Sequence, residues 1–127
     1  MRLYYILASL AVFTSTLSFA DSITRCSSDN IEFQGSENYS TWPWSAVASI
    51  NGNAIKTWLP EEIAPLNIDC IRQGGSDTPP WWLCQKTFAG NKILRATFWK
   101  FNSRAKAEIK LIENEVIVSV YEPLCSI

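Results

Sequence analysis

The chain has 127 residues with 11 basic and 12 acidic side chains, which gives a formal net charge of −1. These charges are scattered along the chain, which argues against a nucleic-acid partner or an anionic membrane surface. The sequence contains no histidine, and this excludes Ser-His-Asp and Cys-His nucleophilic machinery and the usual imidazole metal sites. The length is that of a single domain with a modest core.

The first twenty residues have the layout of a cleaved secretory signal peptide. A basic start at Arg2 is followed by an apolar run over Leu3–Phe13, and small Ser18 and Ala20 stand before position 21. The apolar run is too short for a stable membrane span. We therefore expect export to a bacterial periplasm or outside the cell, and one mature domain over residues 21–127.

The next segments are typical of strands joined by short turns. A short strand is expected around Ile31–Gln34. The stretch Trp44–Leu59 reads "WSAVASINGNAIKTWL", and its Asn51-Gly52 pair favours a two-residue type I′ turn. This predicts a β-hairpin in which Trp44 faces Leu59 and Ala48 faces Ile55.

The middle of the chain is read as a turn of helix followed by a strand. Pro60 followed by two glutamates suits the start of a helix, which Pro65 would stop quickly. Leu66–Ile71 alternates well enough for a strand that ends near Gly74.

The C-terminal third alternates more strongly. Lys92–Phe101 is rich in aromatic and β-branched residues, and Asn102–Arg104 follows as a turn. A second hairpin across Glu113-Asn114 would place Leu111 opposite Val116 and Ile109 opposite Val118. The valines of this last run would then face inward, namely Val116, Val118 and Val120. A helix over residues 103–113 competes with the first strand, but Ile109 and Leu111 fit a helical stripe poorly.

Together these segments make six to eight short strands and predict an all-β fold, a small antiparallel β-barrel or sandwich with one short helix at most. The four cysteines, an even number in an exported chain, are expected to form two disulfides. Three pairings are open to them, and we favour Cys26–Cys125 and Cys70–Cys84. A zinc site is disfavoured because there is no Cys-x-x-Cys pair and no histidine to complete it.

The tryptophans carry the strongest functional signal. The sequence has six, and those expected in strands, Trp44, Trp58 and Trp99, are assigned to the core. Trp81 and Trp82 follow a proline pair in what reads as a loop, and adjacent residues of an extended chain point to opposite sides. At most one of them can face the core, although both could instead seal one end of the barrel. The predicted binding residues are Pro79, Pro80, Trp81, Trp82 and Leu83.

Catalysis finds little support in the sequence. The acidic pairs Glu61-Glu62 and Glu113/Glu115 lie in polar surroundings and are expected at the surface. Gly74-Gly75 does not open a helix as a phosphate loop would. We therefore expect a non-enzymatic protein without cofactor, an inhibitor or immunity protein that blocks an enzyme or toxin through the aromatic loop. Glycan or small-ligand binding by exposed tryptophans is the alternative, and a carboxylate-based hydrolase is the third.

One stretch resembles a known family. Phe98-Trp99-Lys100-Phe101 is similar to a late segment of the small exported β-barrels that inhibit C-type lysozyme, although Phe101 stands where that family has glycine and its Ser-Gly-x-x-Tyr segment is not found. The resemblance covers the last third of the chain. It implies that folds of this kind act as inhibitors, and we infer no membership from it.

Overall fold

The structure, a computed structural model, describes residues 21–74 and 80–126. The signal peptide predicted for residues 1–20 lies outside this part of the chain. The described residues form nine strands and one short helix, α1, at Asn53–Trp58. The strands are β1 (Asp21–Ser27), β2 (Glu32–Asn38), β3 (Ser45–Asn51), β4 (Leu66–Gln73), β5 (Trp81–Phe88), β6 (Lys92–Phe101), β7 (Arg104–Glu113), β8 (Val116–Tyr121) and β9 (Leu124–Ser126).

All nine strands belong to one curled antiparallel sheet with the order β8-β7-β6-β5-β4-β3-β2-β1-β9. From β1 to β8 each strand pairs with the next one in the chain. The two outermost strands, β8 and β9, are consecutive in sequence and joined only by Glu122 and Pro123. This connection curls the sheet into a half-barrel. The predicted all-β antiparallel fold with one short helix is therefore confirmed.

The core lies on the concave face of the sheet. Alternate residues of each strand point there, as Leu94, Ala96 and Phe98 of β6 show. Segment α1 covers one end of the core and buries Ile55, and Leu59 follows it into the core. The phenyl ring of Phe98 packs so closely on Gly35 that a Cβ at this glycine would lie 2.5 Å from the ring.

Both favoured disulfides are present. Cys26–Cys125 joins β1 to β9 across 99 residues, and Cys70–Cys84 joins β4 to β5 across 14 residues. In the chain-entropy model, loops of about 100 and about 15 residues contribute roughly 4.7 and 3 kcal/mol by restricting the unfolded chain. Disulfides of this kind are typical of an oxidising compartment. In the described ranges, no helix has the length and apolar character needed to cross a membrane.

The predicted hairpin over Trp44–Leu59 is wrong in its second half. Strand β3 forms as expected, but the chain then enters α1 instead of a returning strand. Gly52 has a φ of 118° and lies against the backbone of Asn30, whose carbonyl accepts a hydrogen bond from the first turn of the helix. Ile55 and Leu59 are four residues apart, a spacing that places both on one face of a strand or of a helix, so alternation alone could not separate the two.

The other predicted elements of the middle and C-terminal regions are mostly correct. Strands β2, β4, β6 and β7 cover the expected segments, and the competing helix over residues 103–113 is absent because that segment is β7. The turn of helix predicted at Pro60–Glu62 is wrong, since these residues form a turn after α1.

The predicted pairing of β7 with β8 is also wrong. The turn is at Asn114-Glu115, both with positive φ, as in a type I′ turn. A bulge between Leu111 and Ile112 then shifts the register, so Leu111 pairs with Ser119. A one-residue shift moves every following side chain to the opposite face. Beyond the bulge, Val120 therefore lies on the outer face instead of inside, and Val116 and Val118, also expected inside, are exposed as well.

Candidate functional site

One end of the sheet gathers most of the tryptophans. Strands β2, β4 and β6 end there, and β3, β5 and β7 begin there. We call this region the aromatic end, defined by Trp42, Trp44, Trp81, Trp99 and Phe101. The opposite end, which carries α1 and the β7–β8 turn, is called the helix end.

Trp81 and Trp82 are separated by the alternation of strand β5. Trp82 faces inward and is fully buried opposite Phe98, whereas Trp81 faces outward with 40% of its surface exposed. The prediction that at most one of the two can face the core is thereby confirmed, and the alternative in which both seal the barrel is wrong. The predicted loop is wrong for Trp81, Trp82 and Leu83, because these residues belong to β5.

Two of the other predicted binding residues, Pro80 and Leu83, lie at the surface. Pro80 is half-buried just before β5, and Leu83 is half-buried on the outer face, where it pairs with exposed Ile71. Pro79 lies outside the described residues. The fully buried Trp82 cannot touch a partner, so the accessible members of the predicted set are Pro80, Trp81 and Leu83.

A shallow cavity opens on the outer face beside Trp81. It is lined by Pro80, Trp81, Trp99, Phe101 and Arg104. Trp99 was assigned to the core, but it alternates with buried Phe98 and is half-buried on the outer face. Trp44 and Trp58 are also only half-buried, although both pack against the core. The cavity thus brings together aromatic side chains from β5 and β6 with a cation from β7.

A buried carboxylate lies beneath this surface. Glu37 accepts a hydrogen bond from the indole Nε1 of Trp82 at 2.7 Å and another from the hydroxyl of Tyr39 at 2.5 Å. Burial raises the pKa of Tyr39 well above its usual value, and the hydrogen bond to Glu37 and its charge act in the same direction. The sequence interpretation missed Glu37, although it is four residues after buried Phe33 on β2 and therefore points to the same inner face.

A chain of aromatic contacts leads from this carboxylate to the surface. The Trp44 ring lies edge-on to Tyr39, with ring centroids 4.9 Å apart, and edge-on to Trp42 at 5.2 Å. The guanidinium of Arg72 lies 5.3 Å from the centre of the Trp44 ring. Trp42 is 72% exposed, more than any other tryptophan in the described ranges. It was not among the predicted binding residues.

Cations border the exposed aromatic residues. Arg104 lines the cavity and pairs in register with Phe101, and exposed Lys106 pairs with Trp99. Lys100 is engaged elsewhere, because its Nζ donates to the carbonyl of Ile23 at 3.1 Å. Within the described ranges, no group of three or more Cys, Asp and Glu is placed to hold a metal ion. The arrangement offers flat apolar surface with positive charge at its margin.

Fold and site define a small, disulfide-stabilised β half-barrel with an aromatic surface at one end. Comparison with protein-family models, curated proteins and solved structures found no match to this chain.

Proposed function

We propose that the protein is a non-enzymatic binding module of the inhibitor or immunity type, which acts in the periplasm or outside the cell. Its partner is another protein, an enzyme or toxin, which it blocks by covering part of the partner's surface with the aromatic end. The observation that carries this proposal is the exposure of Trp81 and Trp42 above buried contacts that fix their positions.

The residue types at the aromatic end are those that contribute most to protein interfaces. Tryptophan, tyrosine and arginine are enriched among the residues whose truncation weakens binding most. Trp81 and Phe101 supply apolar area, and Arg104 supplies a charge at its margin. Ile71 and Leu83 extend the apolar surface along the same face of β4 and β5.

The way Trp81 is held favours tight binding. Its strand is paired on both sides, its neighbour Trp82 is anchored on Glu37, and Cys84 is tied to Cys70. A side chain fixed before binding loses little conformational entropy when the complex forms. The aromatic end therefore acts as a preorganised anchor and needs no folding step on contact.

Glycan binding is the second candidate, and the cavity beside Trp81 favours it. Indole faces stack on the apolar faces of pyranose rings, and Arg104 would supply hydrogen-bond donors to sugar hydroxyls. The cavity is small and shallow, which suits a terminal sugar better than a long chain. Protein binding remains the primary proposal because Trp42 and Ile71 are exposed apolar side chains that lie outside the cavity.

The test is a comparison of variants in partner capture. Immobilised wild-type protein, Trp81→Ala and Ile63→Ala are cross-linked to a native extract, and the retained proteins are identified by mass spectrometry. Ile63 is 90% exposed at the helix end, so its variant controls for loss of an exposed apolar side chain. We expect one protein to be retained by wild type and Ile63→Ala and lost by Trp81→Ala.

A fluorescence titration with candidate glycans decides between the two functions. A saturable shift of tryptophan emission that disappears in Trp81→Ala, together with no specific protein capture, would establish the glycan alternative instead. Equal capture by all three proteins would reject the aromatic end as the binding surface.

A further inference from the structure

Strand β8 is an edge of the sheet with one side unpaired. In the described part of the chain it pairs with β7 alone, over Val116–Tyr121. The backbone N–H and C=O groups along the free side of an edge strand form a template for one more strand. This edge lies apart from the aromatic end and does not depend on the function proposed for it.

The side chains of β8 do not protect this edge. Four of its six residues are exposed aliphatic side chains with exposed fractions between 49% and 61%, namely Val116, Ile117, Val118 and Val120. The strand contains no charged residue and no proline, two of the devices that block edge pairing, and its one irregularity is the bulge at Val118. The opposite edge, β9, has three residues, follows Pro123 and is tied by Cys125 to β1.

Charges at the two ends of β8 indicate what would pair with it. Glu115 precedes the strand and Glu122 follows it, and both side chains are exposed. The two residues are seven positions apart, which is at most about 23 Å at roughly 3.3 Å per residue, since Glu115 lies in the β7–β8 turn. A segment with lysine or arginine at the same spacing would meet a carboxylate at each end.

A second copy of this chain fits the edge poorly. Antiparallel pairing of β8 with β8 over its full length would place Glu115 opposite Glu122 of the second copy, at both ends of the pair. Like charges directly opposite each other across strands destabilise the pairing. The charge pattern therefore favours a different chain over self-association.

We propose that β8 accepts a strand from another protein by β-strand addition, and that this strand has a β-branched, uncharged centre with a basic residue at each end. Backbone hydrogen bonds supply most of the affinity, and the two glutamates select the basic ends. The apolar faces of Val118 and Val120 pack against alternate side chains of the added strand.

The probe is a fluorescein-labelled peptide, Lys-Val-Thr-Val-Thr-Val-Thr-Lys, with a control peptide that has glutamate in place of both lysines. Fluorescence anisotropy measures each peptide against wild-type protein and against the double variant Glu115→Lys/Glu122→Lys. Wild type is expected to bind the lysine peptide at least tenfold more tightly than the glutamate peptide, and the double variant is expected to reverse this preference.

Hydrogen exchange and a second variant keep the test specific. The lysine peptide is expected to slow amide exchange in residues 116–121, and Trp81→Ala is expected to bind it as wild type does. Equal binding of both peptides, or protection elsewhere in the sheet, would overturn the proposal. A dimer in sedimentation equilibrium that the lysine peptide dissociates would also overturn it, because the natural occupant would then be a second copy.

Discussion

A tryptophan indole donates a hydrogen bond to a glutamate at each end of this sheet, but the two pairs lie in different environments. At the aromatic end, Trp82 and Glu37 are both buried, and the indole Nε1 lies 2.7 Å from the carboxylate Oε2. At the helix end, Trp58 and Glu113 are half-buried, and the indole Nε1 lies 2.6 Å from the carboxylate Oε1. The Lys92 ammonium lies over the Trp58 ring and donates a hydrogen bond to the backbone carbonyl of Trp58. A buried carboxylate depends on its protein donors, whereas water replaces a lost donor at a half-exposed one.

Exposed aromatic residues continue the contacts of the buried pair to the surface. At the helix end, the pair fastens α1 to β6 and β7 through Trp58, Lys92 and Glu113. At the aromatic end, the buried pair fixes Trp82 and, through Tyr39 and Trp44, supports the exposed ring of Trp42. The first pair holds an element of the fold, and the second also holds a surface.

The largest expected effect is that of Trp82→Ala. The substitution leaves a large cavity and removes a donor from buried Glu37, so we expect a loss of about 3–5 kcal/mol in the free energy of unfolding. This is a large part of the ~5–15 kcal/mol typical of a small domain. Urea denaturation followed by circular dichroism measures it. A loss below about 1 kcal/mol would show that Trp82 does not anchor the aromatic end.

Gly35→Ala is expected to disturb the same end from the opposite wall of the core. The added methyl group would meet the Phe98 ring, which lies beside Trp82, and overpacking of this kind costs roughly 1–3 kcal/mol. The same denaturation experiment applies, and Gly90→Ala separates the two causes of strain, since Gly90 has open space around it but a φ of 81°. An unchanged midpoint for Gly35→Ala would mean that the Phe98 ring moves aside freely.

Phenylalanine at each tryptophan tests the difference between the two pairs directly. Trp82→Phe and Trp58→Phe both keep an aromatic ring and remove the indole donor. We expect the loss of stability to be about 1–2 kcal/mol greater for Trp82→Phe, because Glu37 is buried and Glu113 is partly solvated. Equal losses measured in urea would show that burial of the carboxylate does not separate the two ends.

The pH dependence of stability reports on the buried end through Tyr39. Because the pKa of Tyr39 is raised in the folded state, the folded protein keeps this proton where the unfolded chain loses it. The stabilisation is complete below the ordinary tyrosine pKa of about 10 and declines as the pH rises above it. Urea midpoints between pH ~9 and ~11 should therefore fall more steeply for wild type than for Tyr39→Phe. Parallel slopes would contradict this account.

The alternation of apolar and polar residues predicted most of the strands, because a strict period of two fits a half-buried strand and not a helix. Lys92–Phe101 and the following strand formed as expected, and the favoured cysteine pairs are neighbours in register. The errors occurred where one pattern fits two structures. Ile55 and Leu59 suit a strand or a helix, and no residue in the sequence marks the bulge beside Leu111 that shifts the register of β8.

The candidate site was predicted in part. Alternation separated Trp81 from Trp82 correctly, because two neighbours in a strand cannot both face the core. Glu37 and Trp42 were missed for different reasons. Glu37 was missed because buried acids are rare, and Trp42 was missed because its edge-on contact with Trp44 is not displayed by any local pattern.

The most direct test of the central claim is the affinity of the captured partner for Trp81→Ala. Surface plasmon resonance would compare it with wild type and with the matched helix-end variant Ile63→Ala. We expect Trp81→Ala to weaken binding at least 30-fold, the equivalent of about 2 kcal/mol, while its urea midpoint stays close to wild type. Undiminished affinity in Trp81→Ala, or an equal loss in Ile63→Ala, would contradict the assignment of the aromatic end as the binding surface.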